Sequence, residues 1–114
     1  MNAINSVQFS NHTGYKQGIK GKVLSGDDLV ELIDGLDMNG LLESYSHMLT
    51  GYIGSQTFLK AIASAVERIQ EKNPNLKYIC DPVLGDNGKF YVPEDLVEPF
   101  KTMIIPKAYM ITPN

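Results

Sequence analysis

The chain has 114 residues, 43% of them hydrophobic and 20% charged, with a formal net charge of −3. That is room for one domain with a hydrophobic core, and the charge balance excludes general attraction to nucleic acid or anionic lipid. No apolar run approaches the roughly 20 residues of a membrane span, and the opening residues lack the basic-then-apolar pattern of a leader. The single cysteine, Cys80, excludes an internal disulfide and a Cys-rich zinc site. These features make the cytoplasm the expected compartment, with no nucleic acid and no membrane as partner.

Residues 4–9 read as an extended strand in which Val7 and Phe9 alternate with Ser6 and Gln8. A polar, Gly-containing loop follows, and residues 22–24 make a short edge strand. Ser25 with Asp28 three residues on is a capping-box-like pair. Leu29, Leu32, Ile33 and Leu36 then form one apolar face of a helix over 27–37, ended by Asn39-Gly40. Residues 47–50 are a second strand, closed by Gly51-Tyr52. Ser55 caps a long helix reaching about residue 72, with Phe58, Leu59, Ile62, Ala65, Val66 and Ile69 as its buried stripe. Asn73-Pro74-Asn75 stops it.

Residues 78–80 form a buried strand that ends at Asp81, because Pro82 has no N–H to continue a ladder. Cys80 within it reads as a small core residue. Gly85 permits a tight turn, and Asp86 sets a second carboxylate five residues after the first. Two acids on a loop beyond a strand end suit a divalent cation and, through it, polyphosphate. On that motif alone, two solvated loop acids are an equal reading. Asn87-Gly88 predicts a small hairpin flap. Pro93 opens a short helix with acids in its first turn, and residues 109–112 are the last strand.

Helices between strands permit the crossovers that parallel pairing needs, so the expected fold class is α/β, with a mostly parallel sheet of about four strands and three helices. Parallel strands bring Thr50-Gly51-Tyr52, Asp81…Asp86 and Thr112-Pro113-Asn114 to one edge, where ligands of open α/β sheets bind. Two crossover helices and a short third are thin cover for such a sheet. Residues 1–114 therefore read as part of a larger domain.

Five segments carry a resemblance: Asn5-Ser-Val-Gln-Phe-Ser-Asn-His-Thr-Gly-Tyr15, Leu49-Thr-Gly-Tyr52, Cys80-Asp-Pro-Val-Leu-Gly-Asp86, Tyr91-Val-Pro-Glu-Asp-Leu96 and Ile111-Thr-Pro-Asn114. In this order and spacing the chain resembles the pyridoxal kinases of the ribokinase-like superfamily, over nearly its whole length. The resemblance implies a three-layer α/β/α fold and transfer of the ATP γ-phosphate to the 5′-hydroxyl of pyridoxal. It implies that Val7, Phe9, His12, Thr13 and Tyr52 line the vitamin pocket. Asp81 and Asp86 would stand by the phosphates, with Asp86 the better ligand for Mg²⁺ and Asp81 near a monovalent cation such as K⁺. Tyr91 would cover the nucleotide, and Thr112 and Asn114 would reach the phosphate or cation region. A homodimer is implied for the full-length form. The family's catalytic aspartate falls outside these 114 residues, so no catalytic base is assigned and this chain alone is expected to be inactive. The flap after Asp86 is shorter than the family's. Two alternatives stay open: a non-catalytic product that binds kinase subunits or vitamin, and a related kinase acting on another B6 vitamer or on hydroxymethylpyrimidine.

Overall fold

Helix α2, Gln56–Lys72, organises the packing. Ser55 holds extended backbone before it, and its hydroxyl accepts from the Phe58 N–H at 3.2 Å, satisfying one of the free amides of the first turn. The predicted stripe, Phe58 to Ile69, is buried throughout, and Ala61 and Ala63 are buried as well. Asn73 ends the helix. Its backbone N–H donates to the Ile69 carbonyl, and its side-chain amide donates to the Leu42 carbonyl of the 3₁₀ turn Leu42–Ser44. The computed structural model describes residues 3–11, 15–81, 85–86, 89–90 and 96–111.

Helix α1, Gly26–Met38, packs on α2. The capping box forms as the sequence predicts: Ser25 Oγ accepts from the Asp28 N–H, and the Asp28 carboxylate accepts from the Ser25 N–H. Leu29 and Ile33 are buried and Leu36 is partly so, but Leu32 is 46% exposed, against expectation. At about 100° per residue, Leu32 and Ile33 fall on opposite sides of Leu29, and α2 covers the Ile33 side. Arg68 of α2 spans that side, donating to Asp34 and, at 2.8 Å, to Asp37.

The central sheet is parallel, in the order β3–β4–β7: His47–Thr50, Lys77–Cys80 and Met110–Ile111. Helix α2 is the crossover between β3 and β4, as parallel pairing requires. A short helical segment leads to β7: α3 at Val97–Pro99, a π-type turn Phe100–Ile104 and a 3₁₀ turn Ile105–Lys107. Leu96 and Ile104 anchor it in the core. Tyr78, Cys80 and Thr50 turn inward to join the α2 cluster, while His47, Leu49, Lys77 and Met110 are exposed on the other side. Among the described residues, helices cover one face of this sheet.

The first strand corrects the predicted sheet. Strand β1, Val7–Phe9, does not join the parallel array; it pairs antiparallel with β2, Gly21–Val23, in the register Val7↔Val23, Gln8↔Lys22, Phe9↔Gly21. Four parallel strands thus become three, beside a separate hairpin. Gly21 is what lets the hairpin close, since a Cβ there would fall on the Gln8 carbonyl. The one hairpin that the sequence predicts is present: β5, Gly85–Asp86, pairs antiparallel with β6, Lys89–Phe90, and Asp86 opposes Lys89.

Candidate functional site

The carboxyl ends of the three parallel strands lie side by side. Thr50 is in register with Cys80, and Cys80 with Ile111. The Asp81 N–H donates to the Thr50 carbonyl at 2.9 Å, so Asp81 leaves β4 beside the start of the Gly51-Tyr52 segment. Beneath this edge the Thr50 and Tyr78 hydroxyls share a buried hydrogen bond of 2.7 Å. Burial pushes the Tyr78 phenol up, and the Thr50 contact only partly offsets it. Burial likewise pushes the Cys80 thiol up, so this cysteine is a neutral core group, as the sequence predicts.

The β1–β2 hairpin stands against the β3–α2 loop. Ser6 Oγ donates to the Tyr52 carbonyl at 3.3 Å. Between hairpin and loop is an open cleft of about 150 Å³, walled by Val7, Phe9, Val23, Tyr52 and Phe58, with Ser6 and Ser55 as polar groups. Phe9 and Tyr52 keep 39% and 37% of their surface exposed, enough to offer ring faces to a ligand. Apolar walls with a few hydroxyls suit a small substituted aromatic ring.

Of the predicted pocket residues, Val7, Phe9 and Tyr52 are brought together in this cleft. His12, Thr13, Tyr91, Thr112 and Asn114 lie outside the described residues. The backbone of Asp86 is placed in β5, on the hairpin that follows Asp81. Val23 and Phe58 also line the cleft and went unassigned in the sequence. Phe58 reads there as helix stripe. Val23 comes to the cleft only through its pairing with Val7, which periodicity does not reveal.

Asp81 is partly buried, and its Oδ1 is shut off from solvent with no hydrogen-bond partner among the described residues. A buried carboxylate oxygen without a donor is costly unless a cation or donor meets it, so this acid fits a cation site. Among the described residues no three His, Cys, Asp or Glu side chains cluster as a metal site. A cation held here through one or two carboxylates would take its remaining oxygens from phosphate and water, the manner of Mg²⁺ in nucleotide sites. No helix among the described residues is long and apolar enough to cross a membrane.

A parallel strand–helix–strand unit, with an antiparallel hairpin beside its carboxyl edge and an acid-bearing loop next to it, defines a ribokinase-like α/β protein. No family model matches the chain. Within that class its homologues over the whole chain are pyridoxal kinases. It is 56% identical to the pyridoxal kinase of Arabidopsis thaliana over 111 residues, 97% of this chain and 35% of that protein. It is 48% identical to that of Homo sapiens over 118 aligned residues, 100% of this chain and 37% of the relative. The pyridoxal kinase from Leishmania donovani, solved in complex with ADP and pyridoxamine, superposes with a TM-score of 0.88 at 34% identity, covering 97% of this chain and 39% of that one. The chain thus spans little more than a third of the length of these curated relatives.

Proposed function

We propose that the protein carrying these residues phosphorylates the 5′-hydroxyl of pyridoxal with ATP, giving pyridoxal 5′-phosphate, and that residues 1–114 are part of a single ribokinase-like domain. The observation that supports this best is the cleft. Val7, Phe9 and Tyr52, chosen from sequence as vitamin contacts, wall one opening beside the strand end that bears Asp81. The solved relative with ADP and pyridoxamine supports the same ligand classes.

In this reading the vitamin ring lies between Phe9 and Tyr52, with Val7 as an apolar wall and His12 and Thr13 as its polar contacts. Asp86 and Asp81 hold Mg²⁺ at the nucleotide phosphates, and Asp81 also serves a monovalent cation such as K⁺. When bound, Mg²⁺ neutralises polyphosphate charge. Tyr91 covers the nucleotide, and Thr112 and Asn114 reach the phosphate region. Phosphoryl transfer is governed by positioning and charge neutralisation, so residues that seat the ring and phosphates affect the rate without sharing a proton or bond. The functional form is a homodimer in the cytoplasm.

The test is conversion of pyridoxal to pyridoxal 5′-phosphate, followed by absorbance, with Mg²⁺ and K⁺ varied. Asp86→Ala should lower turnover about a hundredfold or more, as loss of a group that stabilises phosphoryl charge does. Unchanged turnover at every Mg²⁺ concentration would reject the metal role. Sedimentation of the active form reads the dimer, and cell fractionation the compartment.

A further inference from the structure

In the loop between β3 and α2 the buried Ile53 lies between the exposed Tyr52 and the half-buried Gly54. Ile53 is 2% exposed and locked in the core, which turns Tyr52 and Gly54 to the opposite side. A Cβ built on Gly54 would lie 3.0 Å from Tyr52 Oη, 3.1 Å from Cε1 and 3.2 Å from Cζ. The phenol tip therefore rests over the space that a side chain at position 54 would occupy. Both residues line the cleft. Gly54 is not among the glycines with positive φ, so an alanine there meets no backbone strain and acts through the contact with the ring. The backbone has little freedom to yield. Ile53 pins it on one side, the Ser6 hydroxyl holds the Tyr52 carbonyl, and Ser55 caps α2 immediately after. The ring is the part that gives.

We propose that Gly54 is a positioning residue: by lacking a side chain it seats the Tyr52 ring against the loop, and so sets where the phenol stands in the cleft. Its effect on ligand binding rests on the cleft being the vitamin site; its effect on the ring does not. A methyl group at position 54 shifts the phenol by a few tenths of an ångström and changes the gap between Tyr52 and the opposite wall formed by Val7 and Phe9. Such a shift spoils the fit of the cleft around a ligand ring, so it weakens pyridoxal binding.

The experiment compares Gly54→Ala, Tyr52→Ala and the double variant of the full chain, after circular dichroism establishes that each is folded. Two readouts are taken: NMR of ring-labelled tyrosine without ligand, and titration with pyridoxal. The Tyr52 resonance should move in Gly54→Ala. Pyridoxal binding should weaken about five- to tenfold, in the range of mild overpacking, and adding Gly54→Ala to Tyr52→Ala should change nothing further. An unmoved Tyr52 resonance overturns the proposal. So does an equal loss of affinity with and without the Tyr52 ring. If the unsubstituted protein does not bind pyridoxal, the vitamin reading of the cleft fails, and the resonance alone then decides for or against the positioning role.

Discussion

Tyr78 has its whole side chain buried, and its hydroxyl bonds that of Thr50, itself only 7% exposed, with the Cys80 thiol beside the pair. Replacing Tyr78 by Phe keeps the ring and removes that bond, leaving the buried Thr50 hydroxyl only the weakly bonding Cys80 thiol. The expected cost is about 1–3 kcal/mol in urea unfolding, the penalty for a buried polar group without a strong partner. The same pair gives a sign for alkaline stability. In the fold, burial raises the Tyr78 and Cys80 proton affinities above their ordinary values of 10.0 and 9.0, so the folded state keeps protons that the unfolded chain releases. Stability from these groups is complete below both unfolded values and is lost as pH rises from them through the raised folded ones. Unfolding midpoints that decline above about pH 9, less steeply in Tyr78→Phe, would bear this out. A flat profile would show that neither proton is held by the fold.

Two glycines within α1 separate propensity from packing. Gly35 has open space around its Cβ position, so Gly35→Ala should stabilise by about 0.5–1 kcal/mol through helix propensity alone. Gly26 is where α1 approaches α2: a Cβ there would lie 2.8 Å from the Thr57 carbonyl oxygen and 3.2 Å from its carbon. Those are backbone atoms of a packed helix and cannot swing aside. The clash, about 1–3 kcal/mol, exceeds the propensity gain, and Gly26→Ala should destabilise. Opposite shifts of the thermal midpoint in the two variants would verify the argument. The elements legible in the sequence were those whose signals are local. The ends of α2 follow from Ser55 and Asn73, the capping box from Ser25 and Asp28, and β3 from a short apolar run between polar breaks. The partner of β1 was not legible. Val7–Phe9 reads as a strand by alternation, but alternation is silent about whether it pairs with β2 across a loop or enters the main sheet. The cleft inherits that limit: Val7, Phe9 and Tyr52 were singled out only through the family resemblance, while Val23 and Gly54 depend on pairing and on a ring's resting place. The pairing of Gly85–Asp86 with Lys89–Phe90 was foreseeable because an Asn-Gly turn fixes its own register.

At the scale of the whole molecule, the two faces of the parallel sheet differ in what covers them. Tyr78, Cys80 and Thr50 pack into the α2 core, whereas Leu49 is 71% and Met110 49% exposed, with Ile79 between them in the same row of the ladder. Three apolar side chains side by side on a strand surface form a contiguous patch, and such patches drive self-association in water. With a net charge of only −3 over 114 residues, electrostatic repulsion does little to oppose it. Leu49→Thr introduces a β-branched side chain suited to a strand while interrupting the apolar row. Because Leu49 buries little, the substitution should change the stability of the 114-residue chain by less than about 0.5 kcal/mol. It should raise the concentration at which that chain stays monodisperse in light scattering and lower its binding of a hydrophobic dye. Unchanged association with unchanged stability would place the sticky surface elsewhere, and the exposed ring of Tyr109, over which Lys77 Nζ lies at 5.2 Å, would be the next position to alter.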